Sequence, residues 1–323
     1  MQERLKQKAL ELLENGTADR ILGWKIGEFF YDLTPAVFKT RQEIQEEFVY
    51  SPFAGANLSK YLIAESRKGG KVAVFLKPCD SYSFTQLLKE HRIWRENIYV
   101  VGVQCGGMCD MEKLRAKGCE GVLSVGEDGE NIVAETLYGT NVFPRAELLE
   151  DRCITCKSKK IVTFDELIGE QGTELESDRF SQVAQLEAMT SEERFAFWQK
   201  ELSRCIRCNA CRNVCPACSC EKCVFDNPGS GVRNKAAADS FEESLFHIIR
   251  AFHVTGRCTD CGECSRVCPQ NIPLHLLNRK MIKDINELYG TYQAGADPDT
   301  KPPLTDFTLD DEEPSVVHTR GGQ

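Results

Sequence analysis

The chain holds no apolar run approaching the roughly 20 residues that a membrane-spanning helix requires, and no charged segment leading into an apolar one opens it. It has no G-x-G-x-x-G fingerprint, no Walker loop and no nucleophile elbow, so the common signatures of a self-contained nucleotide or acyl-transfer site are missing. Basic residues are in deficit. The 40 Lys and Arg stand against 49 Asp and Glu, for a formal net charge of -9, and they form no basic stripe along the chain. A nucleic-acid partner therefore finds no electrostatic support. These absences read as a soluble, cytoplasmic protein without a membrane span, and 323 residues allow two domains, each with its own core.

What is abundant is cysteine, 17 in all. In a reducing compartment disulfides are not expected, and so many thiols point to metal. Two runs share one spacing: Cys205-x2-Cys208-x2-Cys211-x3-Cys215-Pro216 and Cys258-x2-Cys261-x2-Cys264-x3-Cys268-Pro269. This is the run that holds [4Fe-4S] clusters, with three close thiolates on one face of a cubane and the fourth lent by the other run. On that rule Cys205, Cys208, Cys211 and Cys268 hold one cluster, and Cys258, Cys261, Cys264 and Cys215 hold the second. The competing reading is a zinc ribbon, since zinc also takes four thiolates from C-x2-C pairs. A closed zinc site, however, has no use for a third and fourth Cys at these spacings, twice over, each run ending in Pro.

Periodicity organises the remainder. Leu5, Ala9, Leu12 and Leu13 predict a short amphipathic helix stopped by Asn15-Gly16, whereas Ile21 to Pro52 reads as strand and loop. A helix is predicted over Leu58 to Ser66. The apolar run Val72 to Leu76, a turn at Pro78 to Ser81, a helix from Phe84 to Leu88 and a second apolar run from Ile98 to Val103 make a βαβ unit with buried parallel strands. Cys79 and Cys105 then sit just past the carboxyl ends of neighbouring strands, where open α/β sheets place ligands. Val122 to Val125 and Ile132 to Leu137 read as a hairpin. The pair Cys153-x2-Cys156 completes a set of four thiols with Cys79 and Cys105; the competing reading is four buried thiols packed as small hydrophobes. Cys119 reads as structural.

Beyond an acidic stretch from Glu170 to Ser177, Thr190 and Glu193 form a capping box for a helix with Phe195, Trp198 and Leu202 on one face. Phe241, Leu245, Ile248, Ile249 and Phe252 mark another amphipathic helix. Pro273 starts a third, with Leu274, Leu277, Met281, Ile285 and Leu288 on one face and Gly290 at its end. Cys218, Cys220 and Cys223 read as buried thiols lining a cluster. His247, Arg250 and His253 read as cluster neighbours or helix-end charges rather than ligands, since each cluster already has four Cys. The expected fold is an α/β N-terminal domain with a parallel-sheet βαβ core over residues 1–175. A mainly helical dicluster ferredoxin domain follows over 176–292, then an acidic, Pro-rich tail over 293–323 with little to bury.

The ordered pattern Lys77-Pro78-Cys79-Asp80, Val101-Gly102-Val103-Gln104-Cys105, and Cys153-x2-Cys156 followed by Phe164-Asp165-Glu166 and Gly169-Glu170 resembles the beta subunit of deazaflavin-linked (coenzyme F-420) hydrogenases and dehydrogenases. That resemblance implies a third [4Fe-4S] cluster on Cys79, Cys105, Cys153 and Cys156, with Cys109 as the substitute if Cys105 points away. In that family the chain continues into a flavin-binding part. Here it enters a dicluster region instead, so the resemblance carries the cluster further than it carries FAD. The long gap between Cys215 and Cys258 suits a helical ferredoxin, and Phe246-His247-x2-Arg250-x2-His253 ahead of Cys258 is similar to heterodisulfide reductase small subunits and anaerobic sulfite reductase alpha subunits. The resulting expectation is an electron-transfer subunit of an anaerobic oxidoreductase, with hydrogenase, formate dehydrogenase or heterodisulfide-reductase-like subunits as partners. The alternative is a flavin-containing subunit that exchanges electrons with ferredoxin, NAD(P) or a deazaflavin.

Overall fold

The computed structural model describes residues 1–174, 178–227 and 240–305. They fall into two compact units, Met1–Phe84 with His91–Ser177, and Thr85–Glu90 with Asp178–Gln323.

The first unit is an α/β domain. Helix α1 (Gln2–Glu14) buries Leu5, Ala9 and Leu12, and is followed by β1 (Arg20–Ile26) and β2 (Leu33–Phe38). Helix α2 (Arg41–Glu47) lies in the stretch read as strand and loop. Its signal was present: Thr40 and Glu43 form a capping box in which each side chain satisfies the other residue's backbone N–H. The helix predicted over Leu58 to Ser66 is split into a 3-10 turn, Leu58–Tyr61, and α3, Leu62–Glu65. The Asn57 side chain accepts from the Ser59 N–H at 3.0 Å and so starts the segment with the tighter turn.

Strand β3 (Val72–Leu76) is buried at all five positions, as a strand covered on both faces must be. The helix after it, α4 (Pro78–Lys89), begins at Pro78 rather than at Phe84. Proline fixes a helical φ and lacks the N–H that a first turn leaves unsatisfied, so it suits that position. Strand β4 (Ile98–Val103) completes the unit. The sheet runs β2-β1-β3-β4-β8, with β8 (Glu166–Ile168) at one edge; only β1 and β2 pair antiparallel. Asp165 fixes that edge by accepting the Val100 N–H at 2.7 Å. Between β4 and β8 lie α5 (Met111–Ala116), an antiparallel meander of β5 (Val122–Asp128), β6 (Asn131–Thr136) and β7 (Gly139–Pro144), then α6 (Arg145–Leu148) and α7 (Asp151–Ile154). The predicted hairpin is thus two thirds of a three-stranded sheet.

The second unit is helical: α8 (Ser181–Glu187), α9 (Ser191–Ser203), α10 (Ala210–Asn213), α11 (Ser240–His253), α12 (Glu263–Arg266) and α13 (Leu274–Tyr289). Thr190 and Glu193 cap α9, which buries Leu202 and half-buries Trp198 but leaves Phe195 68% exposed. Helix α11 turns its apolar stripe of Phe241, Leu245, Ile248 and Phe252 outward, while Glu243, Phe246, His247 and Arg250 are buried. The sulfurs that this inward face meets, described below, account for its polarity. After α13, Tyr292 and Ala294 pack against Ile285. The segment expected to bury nothing from Ala294 onward therefore begins with a buried side chain; residues 306–323 lie outside the described residues. Among the described residues no helix is long and apolar enough to cross a membrane.

The core of the first unit has no slack at Gly23 on β1. A Cβ there would stand 2.5 Å from Phe48 Cε2, and Phe48 is itself held between Phe38 and Phe75 at centroid distances of 5.6 and 5.3 Å. Gly23→Ala should therefore destabilise this unit by about 1–3 kcal/mol, the usual range for overpacking. Thermal unfolding measures it, and an unchanged melting temperature would show that Phe48 has room to move.

Candidate metal centres

The two cysteine runs are folded the same way. In the first, Arg207 and Asn209 have φ of 54° and 62°; in the second, Asp260 and Gly262 at the matching positions have 59° and 68°. Left-handed backbone is strained for a residue such as Arg, less so for Asn and Asp, and at Arg207 it persists only where the surroundings impose it. Its effect is to point successive N–H groups inward, making the concavity that holds anions and many Fe–S clusters. The Arg207 N–H donates to Cys205 Sγ at 3.3 Å, and the Asp260 N–H does the same for Cys258. Asn209 and Gly262 each precede a single helical turn, α10 or α12, that carries the third cysteine of its run.

Cys205, Cys208, Cys211 and Cys268 line one pocket with about 330 Å³ of empty space, part of it open to solvent, walled in part by Phe246 and His247. The fourth cysteine of the second run thus stands with the first three of the other. Cys215 takes the reciprocal place: it packs with Val254 and Cys258, and its charge acts on Cys258, Cys261 and Cys264. Among the described residues no group of three His, Cys, Asp or Glu side chains closes on a single ion.

Donors surround these sulfurs. His247 Nε2 lies 3.3 Å from Cys205 Sγ, and Asn278 Nδ2 donates to Cys264 Sγ at 3.6 Å. Burial, with Arg250 and Arg207 nearby, pushes the His247 imidazole down to about 3, so it stays neutral and Nε2 can carry the proton that faces sulfur. Burial pushes Cys211 up to about 12 and Cys205 up to about 11, and raises Cys258, Cys261 and Cys264 as well. Such thiols keep their protons unless a metal takes the proton's place, which is the behaviour of a ligand set awaiting a cation. Cys215 differs. A hydrogen bond from the Cys218 thiol, acting against burial and aided by Arg250, lowers it to about 6.

The third set lies in the first unit. Cys79 is in the first turn of α4, Cys105 follows β4, Cys153 is on α7 and Cys156 is just beyond it. They are close enough to act on one another's charge: Cys79 feels Cys156 and Cys105, and Cys153 feels Cys105. The Gly107 N–H donates to Cys105 Sγ at 3.3 Å and the Met108 N–H to Cys153 Sγ at 3.4 Å. Burial pushes Cys153 up to about 12. Beside Cys79, Lys77 is buried with its Nζ 2.8 Å from Asp80 Oδ2 and 4.7 Å from the Trp24 ring centroid. The charged groups acting on Cys109 are Arg145, Glu127, Glu150 and Asp110.

Several neighbours stand apart from their sequence expectations. Cys220 is exposed rather than buried, whereas Cys223 packs with the core around Cys211. His253, exposed at the end of α11, takes the helix-end place that was one of its two expected readings. Asn278 went unread, although a polar residue one turn after Leu274 on an apolar face was its signal.

Residues 201–272 match the family described as 4Fe-4S dicluster domain. This part of the chain is a 4Fe-4S dicluster domain. It accounts for two [4Fe-4S] clusters, which the spacing of the two runs had implied. Across 91% of its length the chain is 26% identical to F420-dependent formate dehydrogenase subunit beta of Methanocaldococcus jannaschii, of which it covers 91%. It is 25% identical, again over 91%, to F420-dependent formate dehydrogenase 1 subunit beta of Methanococcus maripaludis, of which it covers 90%. Its homologues are thus formate dehydrogenase beta subunits that run the length of both units. A chain of the F420-reducing [NiFe] hydrogenase complex from Methanosarcina barkeri matches 48% of this chain and 59% of its own at 16% identity, with a TM-score of 0.38, too low to bear on the fold.

If the runs exchange their fourth ligands, Cys268→Ala should remove or alter the cluster facing Cys205, Cys208 and Cys211, with loss of up to about four irons, and leave the ligand set of the other complete. Damage confined to the cluster of the second run would assign Cys268 to its own run.

Proposed function

We propose that this chain is the iron–sulfur electron-transfer subunit of a formate-dehydrogenase-like complex. The single observation that carries the proposal is a dicluster domain within a chain that aligns over 91% of its length with formate dehydrogenase beta subunits. Cys205, Cys208, Cys211 and Cys268 are the proposed ligands of one cluster and Cys258, Cys261, Cys264 and Cys215 those of the next. Cys79, Cys105, Cys153 and Cys156 are the proposed ligands of a third cluster in the α/β unit. A bound cubane supplies one-electron chemistry at a potential set by hydrogen bonding, charge and exposure. The chain's own residues set those three conditions. His247, Asn278 and the N–H groups of Arg207, Gly107 and Met108 donate to cysteine sulfur. Phe246, Ile272 and Leu274 surround the first set with apolar side chains.

The relatives' names point to F420 as the carrier at one end of the relay and to a formate-oxidising subunit at the other. No basic stripe or membrane span competes with that placement, and a cytoplasmic site follows as part of the same proposal. A flavin-containing subunit that itself meets the carrier is the second outcome of the test below.

Anaerobically purified full-length chain should hold about twelve irons and as many sulfides if all three sites are [4Fe-4S], and Cys79→Ala should lose about a third of them. A full iron count in that variant would return Cys79, Cys105, Cys153 and Cys156 to the rank of buried thiols. The same preparation should accept electrons from a strong artificial reductant yet oxidise neither formate nor hydrogen. Turnover of either by the single chain would overturn the relay, and one flavin per chain would favour the flavin-containing subunit.

A further inference from the structure

Arg250 is 2% exposed, and among the described residues none of its three guanidinium nitrogens has an oxygen or nitrogen acceptor; the acceptor it approaches is the Cys264 sulfur. A buried cation in that condition is strongly unfavourable unless another charge offsets it. The buried carboxylate on the same face of α11, Glu243, stands 3.6 Å from Arg207 instead. What surrounds Arg250 is sulfur. One turn before it, Phe246 packs with Cys205, Cys211, Cys264 and Cys268; one turn after it, Val254 packs with Cys215, Cys218 and Cys258. Its place on α11 is therefore between the two sets of sulfurs. The sulfurs that favour its charge, once they are thiolates, are those of Cys264, Cys211, Cys215 and Cys218, in that order of weight, acting against its burial.

We propose that Arg250 is the shared counter-charge of the two clusters in the dicluster domain, a positioning and tuning residue rather than a ligand. The inference rests on the ligand sets proposed above. A cubane on four thiolates is net negative and gains one further negative charge when it takes up an electron. A fixed positive charge in the low-dielectric interior between two such groups favours the reduced form of both. No proton moves, because the guanidinium stays charged throughout.

The test is a potentiometric titration of the full-length chain followed by electron paramagnetic resonance, with iron and sulfide counted in each sample. The wild-type count and its two signals test the ligand sets separately from Arg250. Arg250→Met should lower the reduced-to-oxidised ratio of both clusters at least tenfold at a fixed potential, which is 59 mV for a one-electron couple. Arg250→Gln, which keeps a donor without the charge, should fall with it. Arg250→Lys, which keeps the charge, should stay within about threefold of wild type, a small part of the tenfold that corresponds to 59 mV. Unchanged potentials in an iron-replete Met or Gln variant would overturn the proposal, and a shift in one cluster alone would overturn the sharing. If neither neutral variant assembles clusters, an iron-replete Lys variant with both potentials retained assigns the role to charge. Failure of the Lys variant to assemble would assign Arg250 to packing and overturn the proposal.

Discussion

A sulfur placed in an apolar interior stays a neutral thiol unless positive charge replaces its proton, and the second unit is arranged round that constraint. Cys211, Cys258, Cys261 and Cys264 are all pushed up by burial. Around them the fold supplies donors: inward N–H groups, the neutral His247, Asn278 and the buried Arg250, alongside the carboxylates of Asp260 and Glu263. Several of these are unfavourable alone. Arg207 and Asp260 are held in left-handed backbone, and among the described residues Arg250 has no oxygen or nitrogen acceptor and His247 Nδ1 has no partner. Together they make a cage suited to a negatively charged cluster, and the match to a dicluster domain gives that cage its occupants.

Two consequences follow for the packing. Because Cys268 stands with Cys205, Cys208 and Cys211, and Cys215 packs with Cys258, residues 205–215 and 258–268 pack as one structure. Because α11 shares its inner face between Phe246 and Ala251 and the polar Glu243, His247 and Arg250, several of its apolar residues are left outside. This is why Phe241, Leu245, Ile248 and Phe252 form an exposed stripe on a helix whose sequence reads as an ordinary amphipathic one. In the first unit the same logic is milder, since Cys79 and Cys105 follow the carboxyl ends of the buried central strands β3 and β4, and Cys153 is carried by α7.

Much of this was legible in the sequence. Cysteine spacing is a direct image of cluster geometry, so the two runs could be read without knowing what lies between them. The apolar strands β3 and β4 and the helices α9 and α13 follow from periodicity and caps. Other features are set by tertiary surroundings and leave a weaker trace. The left-handed positions are announced by Asn209 and Gly262 but not by Arg207 and Asp260. The start of α4 at Pro78 was hidden by Asp80 and Ser81, whose side chains suit a turn as well as a first helical turn. Strand β8 is three residues long, too short to show a period, and is held by Asp165 and its parallel neighbour. The orientation of α11 could not be read from hydrophobicity, because the polar interior it faces exists only once both runs are folded.

The central claim, that the two runs interleave into one pair of adjacent clusters, is tested most directly by the spectrum of the fully reduced full-length chain. With both dicluster clusters paramagnetic and adjacent, the account predicts magnetic interaction: broadened, split resonances that sharpen when only one cluster is reduced. Two independent signals, unchanged in shape between half and full reduction, would contradict it.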